Sequence, residues 1–134
     1  MKKLFSTLIM LTSVSAQAVP CDVFVKAEHV DAYGSQTSEK FLGMVKNDLT
    51  LKGFHVVDAA SSKALTVTVH AVSWYVTKVC QGAAIADIEI RNSKDVLLNA
   101  FAESSSCQGW LFAKRTLKNA LKQIPNSPKD CKLY

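Results

Sequence analysis

Apolar and polar residues alternate in three successive segments of the chain, which predicts three consecutive β-strands. The segments cover residues 65–77, 84–91 and 96–103, and β-branched residues are frequent in the first two. Four turn-forming residues, Asn92-Ser93-Lys94-Asp95, separate the second segment from the third and predict a hairpin. We therefore expect a meander of three strands at the centre of the fold.

The apolar positions of the first of these strands change phase within the strand. They fall on odd residues up to Ala71 and on even residues from Val72 onward. Such a change indicates either a β-bulge or a strand whose far half is covered on its opposite side. We place the predicted irregularity between Ala71 and Ser73.

Two further segments have the 3.6-residue period of amphipathic helices. The first begins near Ser35 to Ser38 and ends at Gly53, which we expect in the left-handed conformation that terminates helices. The second runs from Trp110 to Ile124, and Pro125 stops it. Shorter strands are predicted over residues 22–29 and 54–58, before and after the first helix.

The predicted elements follow in the order β-α-β-β-β-β-α. This order favours a single α+β domain with a mostly antiparallel sheet and two helices packed on one face of it. The stretch from Leu49 through Gly53-Phe54 and Val57 to Leu65-x-Val-x-Val resembles small α/β domains of bacterial envelope accessory proteins.

The amino-terminal residues have the three parts of a secretory signal peptide. Met1-Lys2-Lys3 is basic, residues 4–14 are apolar, and Ala16-Gln17-Ala18 is a cleavage site. We expect residues 1–18 to be removed and residues 19–134 to form one exported domain, periplasmic or secreted. The apolar run is too short for a membrane span, which needs roughly 20 residues. We therefore expect no transmembrane segment in the mature chain.

The four cysteines are even in number and widely spaced, which in an exported protein predicts two disulfides. Cys80 and Cys107 end the outer strands of the meander at the same edge, so we expect them to pair. Cys21 and Cys131 would then tie the ends of the domain together. Lipidation of Cys21 is an alternative that the preceding Ala18-Val19-Pro20 does not favour. No C-x-x-C pair or histidine at ligand spacing indicates a metal, and we expect no cofactor.

Candidate catalytic residues do not assemble into a recognisable motif. His29, His55 and His70 lie in or beside predicted strands, and none belongs to a spaced ligand pair. Glu28 lies next to His29, but neighbouring strand residues face opposite sides of a sheet. Asp87 and Glu89 share one strand face. They are either a carboxylate pair suited to glycoside hydrolysis or ordinary solvated charges.

Serine clusters also lack the context of a nucleophile. Neither the serine pair at 61–62 nor the serine triplet at 104–106 lies in a strand-turn-helix G-x-S-x-G motif. We therefore name no catalytic residue and expect a protein that is not an enzyme.

Positive charge is concentrated in the carboxyl-terminal segment. The whole chain has a net charge of +5, and six basic residues against one acidic residue follow Trp110. Lys114, Lys118 and Lys122 recur every four residues and are predicted to line one side of the second helix, with Arg115 beside them. This basic ridge could bind an acidic protein or an anionic surface such as lipid headgroups or lipopolysaccharide phosphates. The alternative is a solvated helix face with cations near its carboxyl end, and the exported location argues against nucleic acid as a partner.

Three functional hypotheses follow. The first is a non-catalytic protein-binding or accessory module of the bacterial envelope, whose partner is a protein there. The second is a periplasmic inhibitor or immunity protein that acts against a toxin or hydrolase, and a small secreted hydrolase is a distant third.

Export predicts a defined amino terminus for the mature protein. Amino-terminal sequencing of the protein recovered from the periplasm should begin at Val19, because Ala18 completes the cleavage site. An intact Met1 or a lipid-modified Cys21 would contradict the prediction.

Overall fold

The α+β class predicted from the sequence is confirmed. A computed structural model describes residues 21–31, 38–76, 81–105, 110–129 and 131 of the chain. In this part there are five strands and two helices. In chain order they are β1 (Asp22–Asp31), α1 (Ser38–Leu51), β2 (His55–Val57), β3 (Leu65–Val76), β4 (Gln81–Arg91), β5 (Val96–Ser105) and α2 (Trp110–Leu121).

All five strands form one sheet, in the spatial order β2-β1-β3-β4-β5. β3, β4 and β5 form the predicted antiparallel meander, whereas β1 pairs in parallel with both β2 and β3. The sheet is therefore mixed, and the prediction of a mostly antiparallel sheet holds for the meander but not for the two pairings of β1. β2 is parallel to β1 because the crossover through α1 returns the chain to the same end of the sheet.

Both helices pack on the same face of the sheet, and the core lies between the two layers. Inward-facing residues alternate along the strands, as Val67 and Val69 do on β3 opposite Ile90 and Ile88 on β4. The largest fully buried side chains come from both layers. They are Phe41, Leu49, Ile88, Ile90, Leu117, Ile124, Val23, Val45, Val67, Val69 and Thr116.

The structure does not contain the bulge predicted between Ala71 and Ser73. The ladder between β3 and β4 is continuous from Thr66 to Val76. Val72, the first of the even-numbered apolar residues, lies on the sheet face opposite the helices and is exposed. An irregularity occurs instead in β1, where the register with β3 shifts between Ala27 and His29.

Helix α1 ends as its sequence predicts. Gly53 has a φ of 89°, a conformation that costs glycine little because it has no Cβ atom. The amide of Phe54 donates to the carbonyl of Leu49, and that of Gly53 donates to Thr50, both at 3.0 Å. These two bonds form a Schellman motif, and the buried Phe54 starts the segment that enters β2.

The outer edge of β5 is capped by a side chain. The amide group of Gln123, just beyond α2, bonds both backbone groups of Phe101. Its Nε2 donates to the Phe101 carbonyl at 2.5 Å, and its Oε1 accepts from the Phe101 amide at 3.1 Å. The side chain thus occupies the positions that another strand would use, which reduces the tendency of an open edge to recruit one.

A disulfide joins Cys21 and Cys131, whose Cα atoms are 5.2 Å apart, as predicted. It links the start of β1 to the segment after α2, across 110 residues of chain. Cys80 and Cys107 lie outside the described residues, so the second predicted disulfide stays a prediction.

Leu117 provides a test of the core. Leu117→Ala should lower the free energy of unfolding by about 2–5 kcal/mol, because it removes buried methyl groups and leaves a cavity. Denaturant titration measures the change. Leu51→Ala is the matched control, since Leu51 is 79% exposed and a surface change usually stays within about 0.5 kcal/mol. Equal losses in the two variants would show that α2 does not seal the core.

Peptide mapping tests the second disulfide. Digestion without reduction should release a peptide pair that contains Cys80 and Cys107, beside the pair that contains Cys21 and Cys131. The reason is that the strands before Cys80 and Cys107 lie on either side of β4 and run parallel to each other. A cross-linked peptide of Cys21 and Cys80, or alkylation of Cys80 without reduction, would refute the pairing.

Candidate functional site

One face of the sheet is covered by the helices, and no element in the described part of the chain covers the other. We call this second surface the open face. It carries Phe24 and Lys26 from β1, and the outward-facing residues of the meander continue it across the sheet. Those of the meander are Thr66, Thr68, His70 and Val72 on β3, Ile85, Asp87, Glu89 and Arg91 on β4, and Asn99, Phe101 and Glu103 on β5.

Three large apolar side chains of the open face are exposed. Val72 is 37%, Ile85 46% and Phe101 48% accessible to solvent. Val72 and Ile85 face each other across the β3–β4 ladder, and Phe101 lies one row away on β5. A group of exposed apolar side chains on a flat sheet is typical of a surface that another macromolecule covers.

Beside these apolar residues, the structure brings together polar side chains from three strands. His70 Nε2 on β3 lies 3.3 Å from Glu28 Oε2 on β1. On its other side His70 is paired with Asp87 of β4, which in turn faces Phe101 of β5. Asp87 Oδ1 is buried and accepts no hydrogen bond from the described residues.

The sequence did not predict the pair of Glu28 and His70. From the sequence we considered Glu28 together with His29 and Asp31. The side chains of His29 and Asp31 lie outside the described part of the structure. The partner of Glu28 is 42 positions further along the chain, and the contact depends on the parallel pairing of β1 with β3. No local pattern contains that information.

The open face is predominantly acidic among its described residues. Two basic residues, Lys26 and Arg91, are outnumbered by five carboxylates. The carboxylates are Asp22, Glu28, Asp87, Glu89 and Glu103. Arg91 Nη1 lies 3.6 Å from Glu89 Oε1, and Asp22 Oδ1 lies 2.8 Å from Nδ1 of the exposed His55. Asp87 and Glu89 lie on one strand face, as predicted.

The residues of the predicted basic ridge lie on the outer surface of α2 and in the turn that follows it. Arg115, Lys118 and Lys122 are exposed, and Lys114 is partly buried. Lys114 and Lys118 also line a groove between α2 and α1, to which α1 contributes Met44 and Leu51, among others. No acidic residue occurs within α2, so the surface of this helix is uniformly basic.

Two of the serines considered as candidate nucleophiles form structural hydrogen bonds. Ser104 Oγ on β5 forms a hydrogen bond with Thr116 Oγ1, which links the sheet to α2. Ser61 Oγ accepts a hydrogen bond of 3.2 Å from the amide of Ala64 in the turn before β3. Ser62 is exposed in that same turn.

The described residues contain neither a cluster of metal ligands nor a membrane-spanning helix. No group of three or more histidine, cysteine, aspartate or glutamate side chains there is arranged to hold a metal ion. Neither α1 nor α2 is long and apolar enough to cross a membrane.

Comparison with known proteins identifies the fold but no family. No protein-family model and no curated protein sequence matches the chain. Among solved structures, a dodecamer of a PelC point variant from Paraburkholderia phytofirmans superposes with a TM-score of 0.56 at 14% identity, over 76% of this chain and 89% of PelC. A minor lipoprotein from Acinetobacter baumannii matches with a TM-score of 0.42 at 9% identity, over 82% of this chain and 98% of the lipoprotein. The similarity to PelC shows a shared fold.

Proposed function

We propose that this protein is a non-catalytic binding module of the bacterial cell envelope, which recognises an acidic partner protein through the basic ridge of α2. The observation that carries the proposal is the segregation of charge. The outer surface of α2 and its following turn present four basic residues and no acidic one, whereas the open face is predominantly acidic. Complementary potentials of this kind steer partners together and fix their orientation.

Location in the envelope is supported by two features of the chain. The disulfide between Cys21 and Cys131 is of a kind that persists in oxidising compartments and is rare in the cytosol. The basic and apolar leader before Val19 is that of a protein exported to such a compartment.

A binding role is also supported by the shape of the exposed surfaces. Substrate sites are usually concave and enclose most of a small ligand. The His70, Glu28 and Asp87 side chains lie instead on a sheet face that no described element covers. PelC, which has this fold, forms a dodecamer in its solved structure, so a domain of this kind can bind protein through its surfaces.

Affinity capture tests the proposal. The exported protein, immobilised and incubated with envelope extract, should retain a specific protein that mass spectrometry identifies. Changing Lys114, Lys118 and Lys122 together to Gln should reduce this capture several-fold, because three charges of the ridge are lost. Raised salt should imitate the triple change, since exposed charges are screened over about 8–10 Å.

A matched control separates the ridge from net charge. The control variant also loses three positive charges, but from exposed positions outside α2, through Lys40→Gln, Lys46→Gln and Lys63→Gln. Its capture should equal that of the wild type. Equal capture by the ridge variant and the wild type at low and high salt would refute the role of the ridge.

The same experiment distinguishes the competing functions. A captured toxin or hydrolase that loses activity on binding would make the protein an inhibitor. Turnover of a substrate that a single change of His70 or Asp87 abolishes would refute a non-catalytic function.

A further inference from the structure

The domain has two surfaces of opposite charge on opposite sides. The helices cover one face of the sheet, so the outer surface of α2 and the open face point away from each other. One surface is basic and the other is predominantly acidic. A single copy of the chain therefore carries two surfaces of complementary charge. They cannot contact each other within that copy because they lie on opposite sides of the domain.

The acidic surface has the features of an interface. Val72, Ile85 and Phe101 form an exposed apolar centre, and carboxylates such as Glu28 and Glu103 lie around it. Four strands of at least ten residues, spaced about 4.8 Å apart, give a face of roughly 600 Å² in projection. This is of the same order as the ~800 Å² of accessible surface that each partner contributes to a standard interface.

The basic surface has a matching organisation. Leu51, at the end of α1, is the most exposed large apolar residue in the described part of the chain and lies with Met44 in the groove between the helices. Lys114 and Lys118 form the other wall of that groove. An acidic residue of α1, Asp48, also lines the groove, but its carboxylate is paired at 2.6 Å with Lys52 Nζ. Each side of the domain thus has apolar residues at its centre. Basic residues lie beside them on the helix side, and acidic residues lie around them on the open face.

We propose that the open face of the sheet binds the α2 surface of a second copy of this chain, head to tail. The inference rests on the proposed function, because it identifies the acidic partner of the ridge as another copy. Since the two contacting surfaces differ, a pair of bound copies still offers one unused surface of each kind, one on each copy. Repetition of the contact gives a ring where the rotation between copies closes, and a filament where it does not.

The contact has two physical components with different salt dependence. Attraction between the ridge and the carboxylates is screened as ionic strength rises. Burial of Phe101, Ile85 and Leu51 contributes a hydrophobic component that salt does not screen. We expect association to be concentration-dependent and to weaken, without vanishing, in high salt.

Sedimentation velocity on the exported, disulfide-bonded protein tests the proposal with two variants. The sheet variant carries Phe101→Gln and Ile85→Thr, which remove two exposed apolar side chains from the open face. The helix variant carries Lys118→Glu and Lys122→Glu, which reverse two charges of the ridge. All four positions are exposed.

Mixing the variants gives the decisive result. The wild type should form species larger than a monomer, and each variant alone should be monomeric because it lacks one of the two surfaces. An equimolar mixture should form a heterodimer of twice the monomer mass and nothing larger. The helix variant supplies the intact open face, and the sheet variant supplies the intact ridge.

Three results would overturn the inference. They are a wild type that is monomeric at every concentration, a helix variant that still dimerises by itself, and a mixture of variants that remains monomeric. Far-UV circular dichroism checks that each variant is folded. Where one is not, Phe101→Gln alone replaces the sheet variant and Arg115→Glu the helix variant, and the same outcomes apply.

Failure of this inference is separable from failure of the proposed function. A monomeric protein that captures a different envelope protein through the ridge would refute self-association and leave the binding function intact. Self-association without capture of any other protein would refute a separate envelope partner and support the inference.

Discussion

The parallel pairing of β1 with β3 is the interaction on which the rest of this structure depends. It places the first strand of the chain inside the sheet, between β2 and the meander, and makes one continuous sheet of five strands. Val23 and Val25 of β1 then join Leu65 and Val67 of β3 in one buried layer under the helices. Because the two strands are far apart in the chain, the pairing carries a loop-closure cost that this shared core must offset.

The same pairing produces the features of the open face. The register shift after Ala27 brings Glu28 beside His70, and the adjacent antiparallel ladders add Asp87 and Phe101 in the same row. Both helices pack on the opposite face of the sheet, so no element in the described part of the structure covers these side chains.

The disulfide and the Gln123 cap stabilise the ends and the edge of this arrangement. Cys21 and Cys131 connect the beginning of β1 to the segment after α2. Gln123 bonds the backbone of Phe101 at the outer edge of β5, where a strand of another chain would otherwise pair. With this position of the edge capped, the exposed surfaces of the sheet and of α2 are the regions we expect to mediate binding.

Local sequence patterns specify the helices and strands, whereas their arrangement depends on contacts between distant parts of the chain. Local periodicity located both helices, the meander, the Gly53 cap and the ridge that contains Lys118, because side-chain spacing within one element is a local property. It could not show that β1 runs parallel to β3, that the phase change at Val72 marks an exposed residue, or that Glu28 meets His70. Those facts depend on which strands become neighbours, and the energy that selects them comes from a core shared by distant residues.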